Sequence, residues 1–164
     1  MSPLSEELRL RTLAEIVRKE TALLQVTDGR LFTEEFSLEK VKRLDEELDL
    51  SERVDAFVGR FGRLQDTLGD KMLPMLLKKH GENTSTVLNN LNRAEKLGWL
   101  SSVDDWMEAR ALRNQMIHEY VEDAQVLLDA LLRGHALVQL LLETAKSLEA
   151  ILLEILKDFR LEKQ

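Results

Sequence analysis

The stretch VDAFVGRFGRLQDTLGDKMLPM, residues 54–75, sets the fold class of the chain. Its apolar residues recur every three or four positions, at Val54, Phe57, Phe61, Leu64, Leu68, Met72 and Met75. This spacing places them on one face of an α-helix, which turns once in about 3.6 residues. We expect a long helix that starts at a Ser51 cap. It should bend near Asp70, because Pro74 removes the amide donor that the Asp70 carbonyl needs.

Three glycines interrupt this helical pattern, at Gly59, Gly62 and Gly69. A glycine inside a helix costs roughly 1 kcal/mol relative to alanine. The simplest explanation is that another helix crosses closely at these positions. A tight contact between subunits, or space for a ligand, is the alternative.

Helical periodicity continues through the rest of the chain, and no alternation of apolar and polar residues is long enough for a strand. We expect further helices over residues 2–29, 37–48 and 85–97, one that opens at a capping box in 102–105, and one over 123–159 with a kink or break at Gly134. The loops between them are short, which favours antiparallel neighbours. The sequence therefore predicts an all-α fold: a single domain, residues 1–164, built as an antiparallel bundle of four to five helices.

Composition limits what this domain does. The chain has 164 residues, a formal net charge of −7 and no cysteine, which excludes disulfides and thiolate metal ligands. Its three histidines are scattered, without the spacing of a metal site, so we expect neither a metal nor a cofactor. The acidic balance disfavours unspecific coating of nucleic acid but leaves room for a local basic cleft.

The N-terminus has no basic segment followed by an apolar one, so no signal peptide is predicted. The densest apolar run, ALVQLLL, is far shorter than the roughly 20 residues that cross a bilayer. We therefore expect a cytoplasmic protein with no membrane partner, which the absence of cysteine also fits.

The stretch RALRNQMIHEY, residues 110–120, holds one charged residue in an unexpected place. On a helical projection Arg113 falls within roughly 60° of Trp106, Ala109, Met116, Ile117 and Tyr120, inside the apolar stripe. Asn114 and His118 lie one turn apart on the flank of that stripe.

A guanidinium on a packed face costs several kcal/mol unless an anion meets it. The residues leave three partners open: a carboxylate on another helix, with Asp66 and Asp70 as candidates, a carboxylate from a second copy, or a phosphate. A buried Arg–Asp pair alone would explain Arg113 without any activity, and His118 would then simply cap the helix end.

The string Arg113-Asn114-x-x-x-His118-x-Tyr120 resembles the R-N-x-x-x-H-x-Y signature of HEPN-domain proteins, most closely that of HepT-like toxins. The flanking text EKLGWLSSVDDWMEARALRNQMIHEY and the upstream RFGRLQDTLGDKMLP are also similar to such proteins. The resemblance covers roughly residues 50–160. It implies a HEPN-like bundle core in 51–160, with 1–50 as an N-terminal helical elaboration, and a homodimer whose motif helices meet near the two-fold axis.

Active members of this family are metal-independent endoribonucleases, so the resemblance implies RNA, with tRNA as one candidate, as the substrate. His118 from the two copies would act as general base and general acid, because histidine titrates near neutral pH. Arg113 would neutralise the charge that builds up on the phosphate, and Asn114 would hold the histidine tautomer or donate to the phosphate. A 2′,3′-cyclic phosphate end is the expected product.

Tyr120 has a separate implied role, as the residue to which a partner nucleotidyltransferase, the antitoxin, attaches AMP and silences the toxin. A core aromatic is the structural alternative. Arg60 and Arg63 are candidates to flank the RNA cleft, although ion pairs on a solvated helix face are the commoner explanation. The rival function is a non-catalytic subunit that binds a nucleotide or the nucleotidyltransferase and cuts nothing.

Overall fold

The computed structural model describes residues 2–118 and 123–164, and the side chain of His118 is not among the groups described. All regular structure in these residues is helical, which confirms the predicted all-α class. The elements are α1 Pro3–Leu31, α2 Leu38–Lys42, α3 Leu48–Asp66, a π-helical segment Thr67–Met72, α4 Leu73–Lys79, α5 Val87–Lys96, α6 Val103–His118 and α7 Ala124–Leu161. No helix in the described ranges is long and apolar enough to cross a membrane.

The helix predicted from the 54–75 stretch runs through α3, the π segment and α4. The expected irregularity near Asp70 takes the form of the π segment, where the amide of Leu73 donates to the carbonyl of Leu68. Pro74 lies in the first turn of α4. The predicted Ser51 cap is wrong, because the helix begins at Leu48 and the Ser51 amide donates to the Glu47 carbonyl at 2.9 Å.

The N-terminal helix begins as predicted, with the Ser2 side chain accepting from the Ser5 amide and Pro3 in the first turn. It does not stop at the turn signal near Gly29 but continues to Leu31. Leu31 is buried, and burial of a leucine side chain contributes about 1.5–3 kcal/mol, more than the cost of one helical glycine. Tertiary packing therefore overrides the local signal.

Two other predicted boundaries are corrected by packing. The short second helix ends at Lys42, not Leu48, because the charged segment 43–47 that follows offers only Leu44 to the core. The kink or break at Gly134 is absent, and α7 is one helix of 38 residues. A Cβ at residue 134 would lie 3.4 Å from both Met116 and Phe57, so α6 and α3 pack against α7 at this glycine.

The core is centred on α3, which packs against α1, α6 and α7. The predicted stripe is buried: Val54, Phe57, Phe61 and Leu64 of α3, with Leu68 and Met72 of the π segment, are all 0% exposed. Trp106 and Met116 extend this core from α6. The packing of α6 along α3 places Arg113 beside the polar residues of α3.

Candidate functional site at the contact of α3 with α6

The start of α6 is fixed by two hydrogen-bond acceptors. The Ser102 hydroxyl accepts from the Asp105 amide at 3.1 Å, which confirms the predicted serine cap. The Glu95 carboxylate accepts from the Val103 amide at 2.7 Å. These bonds satisfy amides that the first helical turn leaves without internal partners. The direction of α6 is therefore set before the chain reaches Arg113.

The side chain of Arg113 lies against α3, from its Cγ beside Gly62 to its Nη2 beside Asp66. A Cβ at Gly62 would be 2.9 Å from its Nε and 3.2 Å from its Cγ, so glycine makes room for the arginine stem. Its Nη2 forms an ion pair with Oδ2 of Asp66 at 2.9 Å, with the two side chains 34% and 33% exposed. Of the partners left open by the sequence, the carboxylate of Asp66 is present in the fold.

The Asp66 carboxylate lies in a mixed electrostatic environment. Burial is the largest effect and raises the pKa of this carboxyl above its ordinary value, and the charge of Asp70 acts in the same direction. The charges of Arg113, Arg110 and Lys71 lower the pKa but do not cancel the effect of burial. The ion pair therefore only partly compensates the desolvation of Asp66.

Several buried polar atoms on α3 and α6 have no hydrogen-bond partner in the described residues. They are Nε of Arg113, Nε1 of Trp106 and both amide atoms of Gln65. Buried polar atoms in proteins are normally hydrogen-bonded, so these three side chains are exceptions. The unpaired Nε of Arg113 is buried against Gly62, so a ligand in solvent does not reach it.

The buried face of α6 is rotated relative to the prediction. Leu112 is buried beside Trp106, Ala109 and Met116, whereas Ile117 is 50% exposed. Placing Ile117 inside the apolar stripe was therefore wrong, and Arg113 lies at the edge of the stripe. This edge position makes one-third of the arginine side chain accessible to solvent.

The remaining motif residues are placed only in part. Asn114 is exposed, one position after Arg113. His118 is the last residue of α6, and its side chain falls outside the described groups. Tyr120 lies outside the described residues altogether. The assignments of His118 and Tyr120 thus stay predictions from the motif.

The two arginines proposed for RNA binding face α1. Nη1 of Arg60 donates to the Leu23 carbonyl at 3.3 Å and to the Thr27 hydroxyl. Arg63 is exposed, and its charge lowers the pKa of the Glu20 carboxyl on α1. Nothing in the described structure brings either arginine into contact with Arg113, and their RNA-binding role stays a prediction.

Glu20 is a titratable group that the sequence reasoning missed. Burial raises the pKa of its carboxyl, against a hydrogen bond with Thr67 of the π segment, and its Oε2 has no hydrogen-bond partner. The signal was available, because Glu20 falls between Val17 and Leu24 on the buried face of α1. A carboxylate on such a face needs a polar neighbour.

The other histidines have structural neighbours. His80 is the C-cap residue of α4 and meets the ring of Trp99 edge-on at 5.2 Å between centroids. His135 stacks on Phe32 at 4.1 Å, and its Nδ1 lies 2.6 Å from Oδ1 of Asp28. No group of three or more histidine, aspartate or glutamate side chains in the described part of the chain is arranged to hold a metal ion.

Comparison of the chain with protein-family models, with curated proteins and with solved structures finds no match. The motif and the contact of α3 with α6 are therefore the features that indicate a function.

Proposed function

We propose that this protein is a HepT-like toxin: a cytoplasmic, metal-independent endoribonuclease whose site is shared by the two chains of a homodimer. The observation that carries the proposal is the position of Arg113. The stem of this arginine lies on Gly62, its Nη2 pairs with Asp66, and one-third of its side chain is exposed within the R-N-x-x-x-H-x-Y string. A preorganised, partly exposed guanidinium suits a phosphate whose charge grows during a reaction.

The reaction needs two proton transfers and no redox partner. One His118 takes the proton of the ribose 2′-OH, and the 2′-oxygen attacks the phosphorus. The bond to the 5′-oxygen breaks, and that oxygen takes a proton from the second His118. The products are a 2′,3′-cyclic phosphate and a 5′-OH end. Arg113 stabilises the non-bridging oxygens, and Asn114 orients a histidine or donates to the phosphate.

A bundle that pairs through α6 would supply the second histidine. Two apolar side chains on α6 support such a pairing, since Met107 and Ile117 are 36% and 50% exposed. Ile117 immediately precedes His118, so burying it against a second copy would bring the two histidines towards the same axis. Arg60 and Arg63 would contact the RNA backbone farther from the reacting phosphate.

Control by a nucleotidyltransferase completes the proposal. Addition of AMP to the Tyr120 hydroxyl would introduce a negative phosphate seven residues after Arg113 in the sequence. That phosphate would compete with RNA for the guanidinium and repel the RNA backbone. Mass spectrometry of the protein co-expressed with its partner, compared with Tyr120→Phe, tests this step.

The decisive experiment uses purified protein and total tRNA with EDTA present. We expect cleavage by the wild type, cyclic-phosphate ends, and at least about a hundredfold loss in His118→Ala. His80→Ala is the matched control, because this histidine caps α4 away from the motif. Undiminished cleavage by His118→Ala rejects the role of that residue, and no cleavage by the wild type rejects the enzyme.

One observation favours the second candidate, a non-catalytic subunit that binds a nucleotide or the nucleotidyltransferase. Asp66 already provides an anion for Arg113, so the fold does not require an RNA phosphate to satisfy the charge. A stable complex with the nucleotidyltransferase, combined with no RNA cleavage by the wild type, would favour this candidate.

A further inference from the structure

The Arg113 side chain is held differently at its two ends. A Cβ at Gly62 would come within 3.2 Å of Cγ and 3.3 Å of Cδ, so the stem lies directly on the α3 backbone. At the other end, Nη2 pairs with a side chain, the carboxylate of Asp66, at 2.9 Å. The stem is therefore fixed, whereas the paired end can exchange its partner without movement of either helix.

A guanidinium binds carboxylates and phosphates through the same N–H groups, because each anion presents two oxygens. Asp66 therefore occupies donors that an incoming phosphate needs. Its charge also repels that phosphate over a few ångström.

The charges around Asp66 make it a replaceable partner. Arg113 and Arg110 face it from α6, and Asp70 and Lys71 belong to the π segment. From α1, Glu20 is near enough for the charge of Asp66 to raise its pKa. With two other carboxylates close by and burial acting against its charge, Asp66 is a poorly compensated anion.

We propose that Asp66 is an internal competitor for the anion that Arg113 binds, and that it makes the site selective for a polyanionic strand. A single phosphate must displace Asp66 unaided, whereas an RNA strand brings additional contacts that offset the displacement. The identity of the anion as RNA rests on the proposed function. The competition between Asp66 and a phosphate for Arg113 does not depend on the proposed function.

The test measures binding of a 2′-O-methyl RNA oligonucleotide, which has no free 2′-OH and is not cut, and of inorganic phosphate. We expect Asp66→Asn to bind both ligands more tightly, by about fivefold, because a repelling charge is removed and donors are freed. The relative gain should be larger for inorganic phosphate. Asp70→Asn is the matched control, because it removes the same charge from an exposed position one turn along.

The double variant Asp66→Asn with Arg113→Gln links the gain to the arginine. We expect it to bind no better than Arg113→Gln alone. Equal or weaker binding by Asp66→Asn, the same gain in the double variant, or no anion binding by any variant overturns the proposal. Asp66→Ser removes the same charge with a smaller side chain and replaces Asp66→Asn if melting curves show that the latter does not fold.

The two proposals fail separately. Tighter anion binding by Asp66→Asn, with no RNA cleavage by any variant, keeps the internal competitor and rejects the ribonuclease. Cleavage that depends on His118, with no change of affinity in Asp66→Asn, keeps the ribonuclease and rejects the competitor.

Discussion

Gly69 lies directly against the indole ring of Trp106. A Cβ at residue 69 would be 3.1 Å from Nε1 and 3.2 Å from Cζ2 of that ring, which is tighter than ordinary van der Waals contact. Gly69 belongs to the π segment, and Trp106 is a fully buried residue in the first turn of α6. This contact sets how closely the start of α6 approaches the long helix, and Arg113 follows two turns later.

We expect Gly69→Ala to lower the free energy of unfolding by about 1–3 kcal/mol, because the new Cβ would force the buried indole out of its packed position. Urea unfolding followed by circular dichroism measures the effect. The matched control is Gly59→Ala. Its Cβ would meet only Nη2 of Arg63, at 3.9 Å, on an exposed and flexible side chain.

Gly59→Ala should stabilise the protein, by up to about 1 kcal/mol, since alanine is the better helix former and nothing obstructs it. A loss of stability in both variants would contradict the distinction between a crossing glycine and a free one. The sequence suggested one reason, close helix crossing, for Gly59, Gly62 and Gly69 together. The contacts assign that reason to Gly62 and Gly69 only.

Features that depend on neighbouring residues in the chain were predictable from sequence. The apolar stripe of α3 and the caps at Ser2 and Ser102 follow from local periodicity and hydrogen bonding, and Gly98 adopts the positive φ expected after a helix end. Features that depend on contacts between distant parts of the chain were not predictable from sequence. Helix α1 passes Gly29 because Leu31 is buried, and α7 continues through Gly134, which packs against Met116 and Phe57.

The same division applies to the candidate site. Helical geometry identified Arg113 as a charge near an apolar face that needs an anion, and Asp66 as one candidate partner. The choice of Asp66 over Asp70 depends on how α6 lies across α3, which periodicity does not specify. Glu20 and Gln65 were missed because the stripes were defined by their apolar residues, whereas the buried faces also carry polar ones, such as Glu7 and Thr27 of α1.

Ser102→Ala should destabilise the protein by about 1 kcal/mol, because the Asp105 amide loses its acceptor. Thermal melting gives the change. Ser101→Ala is the control, since Ser101 is exposed and precedes the cap. Equal losses in the two variants would contradict a specific capping role for Ser102.

Glu20→Gln should stabilise the protein at neutral pH. Burial is the main reason that the pKa of the Glu20 carboxyl is raised in the folded state, above the ordinary value of 4.5. The folded state therefore binds this proton more tightly than the unfolded chain. The stability contributed by the protonated Glu20 carboxyl is present below the pKa of this group in the unfolded chain. It is lost as the pH rises through the pKa of the group in the folded state. Unfolding free energies of both proteins from about pH 4 to pH 8 should diverge as the pH increases.

Glu7→Gln should show the opposite sign and serves as the comparison. Hydrogen bonds from Lys163 and Arg11 lower the pKa of the Glu7 carboxyl. Its contribution to stability is present above the unfolded pKa and lost as the pH falls through the folded pKa. The variant should be less stable than the wild type at neutral pH and approach it in acid. Parallel pH profiles for the two variants would contradict both assignments.

Arg113→Gln separates a structural arginine from a functional one. The ion pair with Asp66 has both side chains about one-third exposed, and such pairs contribute at most about 1 kcal/mol. We therefore expect a fall of less than about 1 kcal/mol in the free energy of unfolding, since water reaches the carboxylate that is left behind. Met116→Ala, on the buried face of the same helix, should cost about 2–5 kcal/mol and calibrates the measurement. If Arg113→Gln is as costly as Met116→Ala, the arginine is a structural residue. If Arg113→Gln lowers the free energy of unfolding only slightly but abolishes RNA binding, Arg113 is a ligand-binding residue. The fold would then keep this charge at the edge of the apolar stripe without needing it for stability.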